Sequence, residues 1–186
     1  EVEFPESLRL AVSTSNGLSE ELALNFKRIA GIPLTQALGI IEVGLPVVNR
    51  RRADTKPLAL GQVAEGVEII LKSDESSRMS ALGVESGVGE ICVKAPGLFD
   101  AYLSPWTPAR DVLQDGFFST GDLGYFDEDG DLYVLGRRKN RINVRGIKFF
   151  CEEVEAVINA HPDVSESRVY AEIDEASRQE ILVADV

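Results

Sequence analysis

Phe117-Phe118-Ser119-Thr120-Gly121-Asp122-Leu123-Gly124, followed by Asp127-Glu128-Asp129-Gly130 and then Leu135-Gly136-Arg137-Arg138-Lys139-Asn140-Arg141-Ile142-Asn143-Val144-Arg145-Gly146, is the stretch whose reading decides the fold. Phe117–Ser119, Gly124–Asp127 and Leu132–Leu135 are strand material, and Asp-Gly between the last two predicts a hairpin. The acidic run Asp127–Asp131 competes as a calcium loop. Its twelfth position is Arg138, where a bidentate Glu is required, so the hairpin is the better reading.

Beyond the hairpin the chain turns basic. Arg137, Arg138, Lys139, Arg141, Arg145 and Lys148 follow one another with no acid between them, in a chain of net charge −12. The strip reads either as a solvated face beside an acidic neighbour or as an anion site, because Arg and Lys donors match phosphate oxygens. Nucleic acid is the weaker third reading: the strip has no interleaved aromatics, and 31 Asp and Glu outnumber 19 Lys and Arg.

Working outward, a helix is expected over roughly 151–160 with Val154, Val157 and Ile158 inward. Strands are expected at Val164–Ala171 and Glu180–Val186. His161 ends that helix as a partner for its last carbonyls, and nothing around it builds a catalytic triad or a metal site. On the N-terminal side, Val67–Lys72 and Gly89–Lys94 are strands, with an exposed loop at Ser73–Gly87. Asn49–Leu60 is a basic, polar boundary.

Residues 8–13 alternate as a strand. A helix then starts at the N-cap Ser19, with Glu20 and Glu21 in its first turn and Lys27 and Arg28 in its last, and Gly31 stops it. Leu22, Phe26, Ile29 and Ala30 should bury one face of it, and Ile32–Leu38 is the next strand, interrupted at Gly39. The apolar run Ile29–Val48 contains Pro33, Gln36, Glu42 and Pro46, so two buried strands with a turn are expected there, not a membrane span. The fold class is therefore mixed α+β. It comprises an α/β unit (1–53), a small antiparallel, barrel-like β subdomain (54–136) and a further small α+β stretch (137–186).

The two cysteines, Cys92 and Cys151, are too few for a disulfide framework, which points to a reducing, cytoplasmic setting. The chain starts without Met and stops at Val186 inside an alternating pattern, so a piece of a longer parent is expected.

The quoted hairpin and basic block, with Glu153-Val154-Glu155, resemble the signature of the adenylate-forming superfamily of acyl-CoA synthetases, peptide adenylation domains and luciferases. Leu18–Ala23, Gly31–Leu34, Gln36–Glu42, Gly87–Ile91 and Pro96–Tyr102 resemble its preceding blocks, in the same order. The resemblance implies an ATP-dependent ligase that converts a small carboxylic acid to an acyl-adenylate and passes it to CoA or to the phosphopantetheine thiol of a carrier protein. It implies Asp122 on the ribose hydroxyls, Arg137 beside ribose and phosphate, and Gly17 and Leu38 at the adenine. It further implies that 1–53 ends a nucleotide-binding subdomain and 137–186 starts a small C-terminal lid, with Glu42 on Mg2+, Lys139 as the hinge of the lid, Gly146 along the pantetheine path and Lys148 near phosphate. Lys139, where peptide-activating members carry Asp, favours the CoA ligase branch. Three places depart from the pattern: Leu38 replaces a Tyr and Ile41 a Thr, so the hydroxyl expected at phosphate is missing, and the glycine-rich adenine wall reads Ser13-Thr14-Ser15-Asn16-Gly17-Leu18. The rival reading is a catalytically silent module that keeps the fold for binding or scaffolding.

Overall fold

The computed structural model describes residues 4–14, 17–73, 87–144, 147–173 and 180–186, with only the backbone at 143, 144, 147 and 148. β1 (Ala11–Ser13) runs parallel to β2 (Leu34–Ile40), with α1 (Glu20–Ala30) crossing between them. The expected caps hold α1: the Ser19 hydroxyl accepts the Leu22 amide, and Gly31 sits at φ 73°, a left-handed conformation that suits glycine. β3 (Gly44–Val48) and β4 (Gln62–Val63) complete this first sheet by antiparallel pairing. The strand β2 runs through Gly39 with a bulge, where an interruption was expected.

The second sheet is antiparallel. It contains β5 (Glu68–Ser73) and β6 (Gly89–Lys94); the hairpin β7 (Ala101–Leu103) and β8 (Trp106–Pro108) and the turn-length α2 (Ala109–Val112) follow in sequence. The sheet is finished by β9 (Phe118–Phe126) and β10 (Leu132–Arg137), in spatial order β10-β9-β6-β5. It is open, and no closed barrel forms among the described residues. Reciprocal hydrogen bonds between Leu132 and the Leu60–Gly61 backbone, both 2.8 Å, join it to the first sheet. One core spans both sheets, with Leu38, Val43 and Val47 packed among Leu60, Ile91, Val93, Phe118 and Leu132.

After a 3-10 turn at Arg138–Asn140 come β11 (Arg141–Val144), β12 (Ile147–Phe150), α3 (Cys151–Asn159), β13 (Arg168–Ile173) and β14 (Glu180–Asp185). Ile142, Cys151 and Val169 form a small core of their own. Among the described residues, no helix is long and apolar enough to cross a membrane.

Several expectations are corrected. The two pieces Phe117–Ser119 and Gly124–Asp127 are one strand, because Gly121 and Gly124 do not break the ladder. The apolar face of α1 is not buried: Leu22 and Ile29 are exposed, and among the helix's residues only Ala23 is buried. Val157 is likewise exposed on α3. His161 accepts the Asp163 amide at its Nδ1 and so caps forward, not back onto the helix. Most of the expected loop at Ser73–Gly87 lies outside the described residues.

The basic, polar segment after β3 is densely bonded. Buried Asn49 donates to the carbonyls of Lys56 (2.8 Å) and Ala59 (3.1 Å) and accepts the Arg52 amide, which shapes the loop and aims its cations. Lys56 Nζ reaches Asp127 and Asp129, both at 2.6 Å, and Arg52 reaches buried Asp131 at 2.6 Å. The three carboxylates of the β9–β10 turn thus crowd together as in a cation loop, with a lysine ammonium in the cation's place. Hydrogen bonds to Asp127 and Asp129 push the Lys56 ammonium well above the ordinary lysine range. Burial pushes Asp127 up, but hydrogen bonds from Lys56 and the turn amides outweigh it and hold the carboxyl low. Lys56 holds Asp129 low as well.

Depressed acids contribute stability above their ordinary pKa and lose it as pH falls through the folded value. Lys56→Met is therefore expected to lower the urea midpoint clearly at pH 7, with the deficit shrinking toward about pH 3 as the carboxylates protonate. A deficit independent of pH would mean that the clasp works by packing alone.

Candidate functional site

Strand pairing sets the central geometry. Asp122 on β9 and Arg137 on β10 are register partners, brought opposite one another by a bulge between Val134 and Gly136. Arg137 Nε lies 2.8 Å from Asp122 Oδ1, and Arg137 Nη1 lies 3.5 Å from the Thr120 carbonyl. The Asp122 side chain is only 12% exposed while that of Arg137 is 55% exposed, so the acid is recessed and the cation faces solvent.

Two further carboxylates stand near. Buried Glu90, paired in register with Leu123, accepts Arg138 Nη1 at 2.8 Å. Glu152, at the start of α3, accepts Asn140 Nδ2 at 2.6 Å through one oxygen, while its other oxygen is buried without a partner among the described residues. Burial pushes Asp122 above the ordinary carboxylate range. Arg137 and the Thr120 hydroxyl pull it down, and Glu152 and Glu90 add to the rise.

Gly136 permits this packing. A Cβ there would meet the Phe150 ring at 2.8 Å and Glu152 Oε2 at 3.2 Å, and its φ of 153° is rarely adopted by other residues. Phe150, fully buried, seats against Leu123 and Leu135 and so lays the C-terminal elements on the β9–β10 hairpin.

A second group of residues gathers at the carboxyl ends of β1 and β2, the edge where open α/β sheets bind ligands. Glu42 lies in the β2–β3 turn. Its Oε1 accepts Tyr102 Oη at 2.7 Å and its carbonyl accepts the Phe99 amide, so the turn is pinned by the segment 99–102. The bond to Glu42 pushes the Tyr102 phenol upward. It occupies one carboxylate oxygen, and a single further oxygen suits Mg2+, which binds through one or two carboxylates plus substrate phosphates. Gly17 is exposed just before α1, with open space where a side chain would stand. Leu38 is 8% exposed and packs in the core, leaving little of it to cover an adenine, and Ile41 is fully exposed.

No hydrogen bond or ion pair among the described residues joins Glu42 to Asp122. Lys139 is exposed on the 3-10 turn, Lys148 lies on β12, and Gly146 lies outside the described residues. A cavity of about 530 Å3 lies elsewhere, beside the Lys56 clasp, lined by Arg50, Arg51, Gln62, Glu65 and Asp131 among others. Glu90, Tyr102, Asn140 and Glu152 were not expected at the site. A lone acid inside the apolar run Gly89–Lys94 was the one available signal, and it pointed to Glu90.

With this geometry in view, comparison with known proteins is specific. A family model described as AMP-binding enzyme matches residues 2–103. The malonate–CoA ligase of Arabidopsis thaliana is 35% identical over 86% of this chain, which spans 25% of that ligase. The o-succinylbenzoate–CoA synthetase of Bacillus subtilis bound to its acyl-adenylate superposes with a TM-score of 0.80 at 28% identity, over 97% of this chain and 36% of the synthetase. The same synthetase with ATP and magnesium gives 0.77 at 27%, over 97% and 37%. The chain belongs to the AMP-binding, adenylate-forming family, in its acyl-CoA synthetase-like part. It spans about a quarter to a third of the length of the relatives it matches.

Because burial favours the neutral form by more than Arg137 and Thr120 oppose it, Asp122 stabilises the fold below its ordinary pKa, and that contribution is lost as pH rises through the elevated folded value. Asp122→Asn, which mimics the neutral acid, is expected to match the parent near pH 3 and to denature at higher urea than the parent at about pH 7. A less stable variant at neutral pH would show that the Arg137 pair outweighs burial.

Proposed function

We propose that this chain forms the nucleotide-facing edge and the hinge of an ATP-dependent acid–CoA ligase. Its substrate is a small carboxylic acid, which attacks the α-phosphorus of ATP, expelling pyrophosphate and leaving an acyl-adenylate. The thiol of CoA, or of a carrier protein's phosphopantetheine, then attacks the acyl carbon, releasing AMP and forming the thioester. The observation that carries this reading is the 2.8 Å pair of recessed Asp122 and solvent-facing Arg137. An acceptor-only carboxylate suits a ribose diol, and the guanidinium beside it suits the adjoining phosphate. Support also comes from the relatives, whose names are those of CoA ligases, and from a neighbour bound to ATP and magnesium.

In this reading Asp122 orients the sugar and Arg137 draws the phosphate to it. Glu42, steadied by Tyr102, would hold Mg2+, which supplies charge neutralisation on the phosphates. The backbone near Gly17 borders the base, with the edge of Leu38 beneath it. Lys139 is the pivot on which the part of the lid unit (137–186) beyond it turns against the units 1–53 and 54–136, Lys148 serves the phosphate side and Gly146 leaves room for pantetheine. A two-pose lid suits the chemistry, because the phosphate side must be vacated before a thiol can enter. The remainder of a longer parent would supply the rest of the site, in the cytoplasm.

The second reading, a silent module, is favoured by Leu38 in the core and by Ile41, which has no hydroxyl to offer phosphate. Pyrophosphate release by the natural polypeptide, assayed with ATP–Mg2+ and a panel of mono- and dicarboxylic acids, separates the two. The ligase reading expects acid-dependent release and a fall of about ten-fold or more in kcat/KM for ATP in Asp122→Asn, the loss of a charged hydrogen bond. ATP binding without release for any acid would select the silent module.

A further inference from the structure

The 3-10 turn Arg138–Asn140 is held from two different sides. Arg138 reaches back to the second sheet, where Glu90 on β6 accepts its Nη1 at 2.8 Å. Asn140 reaches forward. Its side chain donates to Glu152 at 2.6 Å, and its carbonyl accepts the Cys151 thiol at 3.1 Å, both residues in the first turn of α3. Lys139 between them is exposed, with no side-chain partner among the described residues. The backbone across it is closed by 3-10 turn bonds such as Arg141 N–H to the Arg138 carbonyl.

We infer that Arg138 and Asn140 are positioning residues that confine the rotation of the C-terminal unit to Lys139. The inference rests on the reading of Lys139 as the pivot. Each anchor is hard to release. Detaching Arg138 would strand Glu90, whose side chain is 11% exposed, as an unpaired carboxylate in the sheet. Detaching Asn140 would leave Glu152 without its partner, when the other oxygen is already buried and, among the described residues, unsatisfied. Arg138 therefore travels with the sheet and Asn140 with α3. The contacts that yield on rotation are the 3-10 turn bonds and the apolar seat of Phe150 on Leu123 and Leu135, which is non-directional and can be re-formed against another apolar surface. A pivot bounded in this way directs the unit between few poses, where a loose linker would sample many.

The test uses the natural polypeptide and the near-isosteric Glu90→Gln, which loosens Arg138 while keeping every basic residue of the linker. Limited trypsinolysis followed by mass spectrometry is expected to show cleavage after Arg138 and Lys139 accelerated about five-fold, with other sites unchanged. Unchanged linker cleavage, or faster cleavage everywhere, would overturn the inference. In parallel, Arg138→Met is expected to slow thioester formation about ten-fold with pyrophosphate release within about two-fold, and Arg138→Lys to restore most of the loss. Equal slowing of both steps, or no rescue by Lys, would count against a positioning role. The trypsin readout needs no activity, so a protein that releases no pyrophosphate would remove the ligase reading while leaving the anchors to be decided by cleavage.

Discussion

The β9–β10 hairpin is fixed at both ends by opposite charges, and the rest of the molecule is arranged around that constraint. At the turn, the Lys56 ammonium and the Arg52 guanidinium neutralise Asp127, Asp129 and Asp131, which without them would repel one another. At the open end, Arg137 spans the ladder to Asp122. Between these points Leu132 ties the hairpin to the first sheet through its backbone and through the core that both sheets share. A hairpin so held presents Asp122 in one orientation, which recognition of a flexible nucleotide requires.

The two ends differ in what they do for stability. The clasp holds Asp127 and Asp129 in the form that folding prefers, and it lies away from the Asp122–Arg137 pair. Asp122 is held against preference: burial and the nearby carboxylates of Glu90 and Glu152 disfavour its charge, and Arg137 offsets this only in part. A carboxyl group placed where burial disfavours its charge is the pattern expected of a group retained for binding. Gly136 follows the same logic, because its missing side chain is what lets Phe150 and Glu152 close over the hairpin.

Local chemistry made much of this legible in the sequence. Ser19 and Gly31 cap α1 as their residue types demand, Asp-Gly marks the hairpin turn, and Gly89–Lys94 is a strand within the bounds expected. The Asp122–Arg137 pair was also readable, through family resemblance, since both residues lie in one continuous block. What escaped was long-range. Arg52 and Lys56 find their acids more than seventy positions away, and Arg138 finds Glu90 forty-eight positions back, so a basic segment that reads as a polar boundary is a clasp. Periodicity identifies an apolar face without saying what covers it, and Leu22, Ile29 and Val157 are accordingly exposed. Leu38 and Ile41 divide in the same way: sequence shows which residues depart from the family pattern, and coordinates show one in the core and the other wholly open.

Crystallography of the natural polypeptide with AMP bears most directly on the claim that Asp122 and Arg137 together receive a sugar-phosphate. The account predicts ribose hydroxyls about 2.6–3.0 Å from the Asp122 carboxylate, with Arg137 turned toward the phosphate. A nucleotide bound elsewhere, with the Arg137–Asp122 pair intact and untouched, would contradict it.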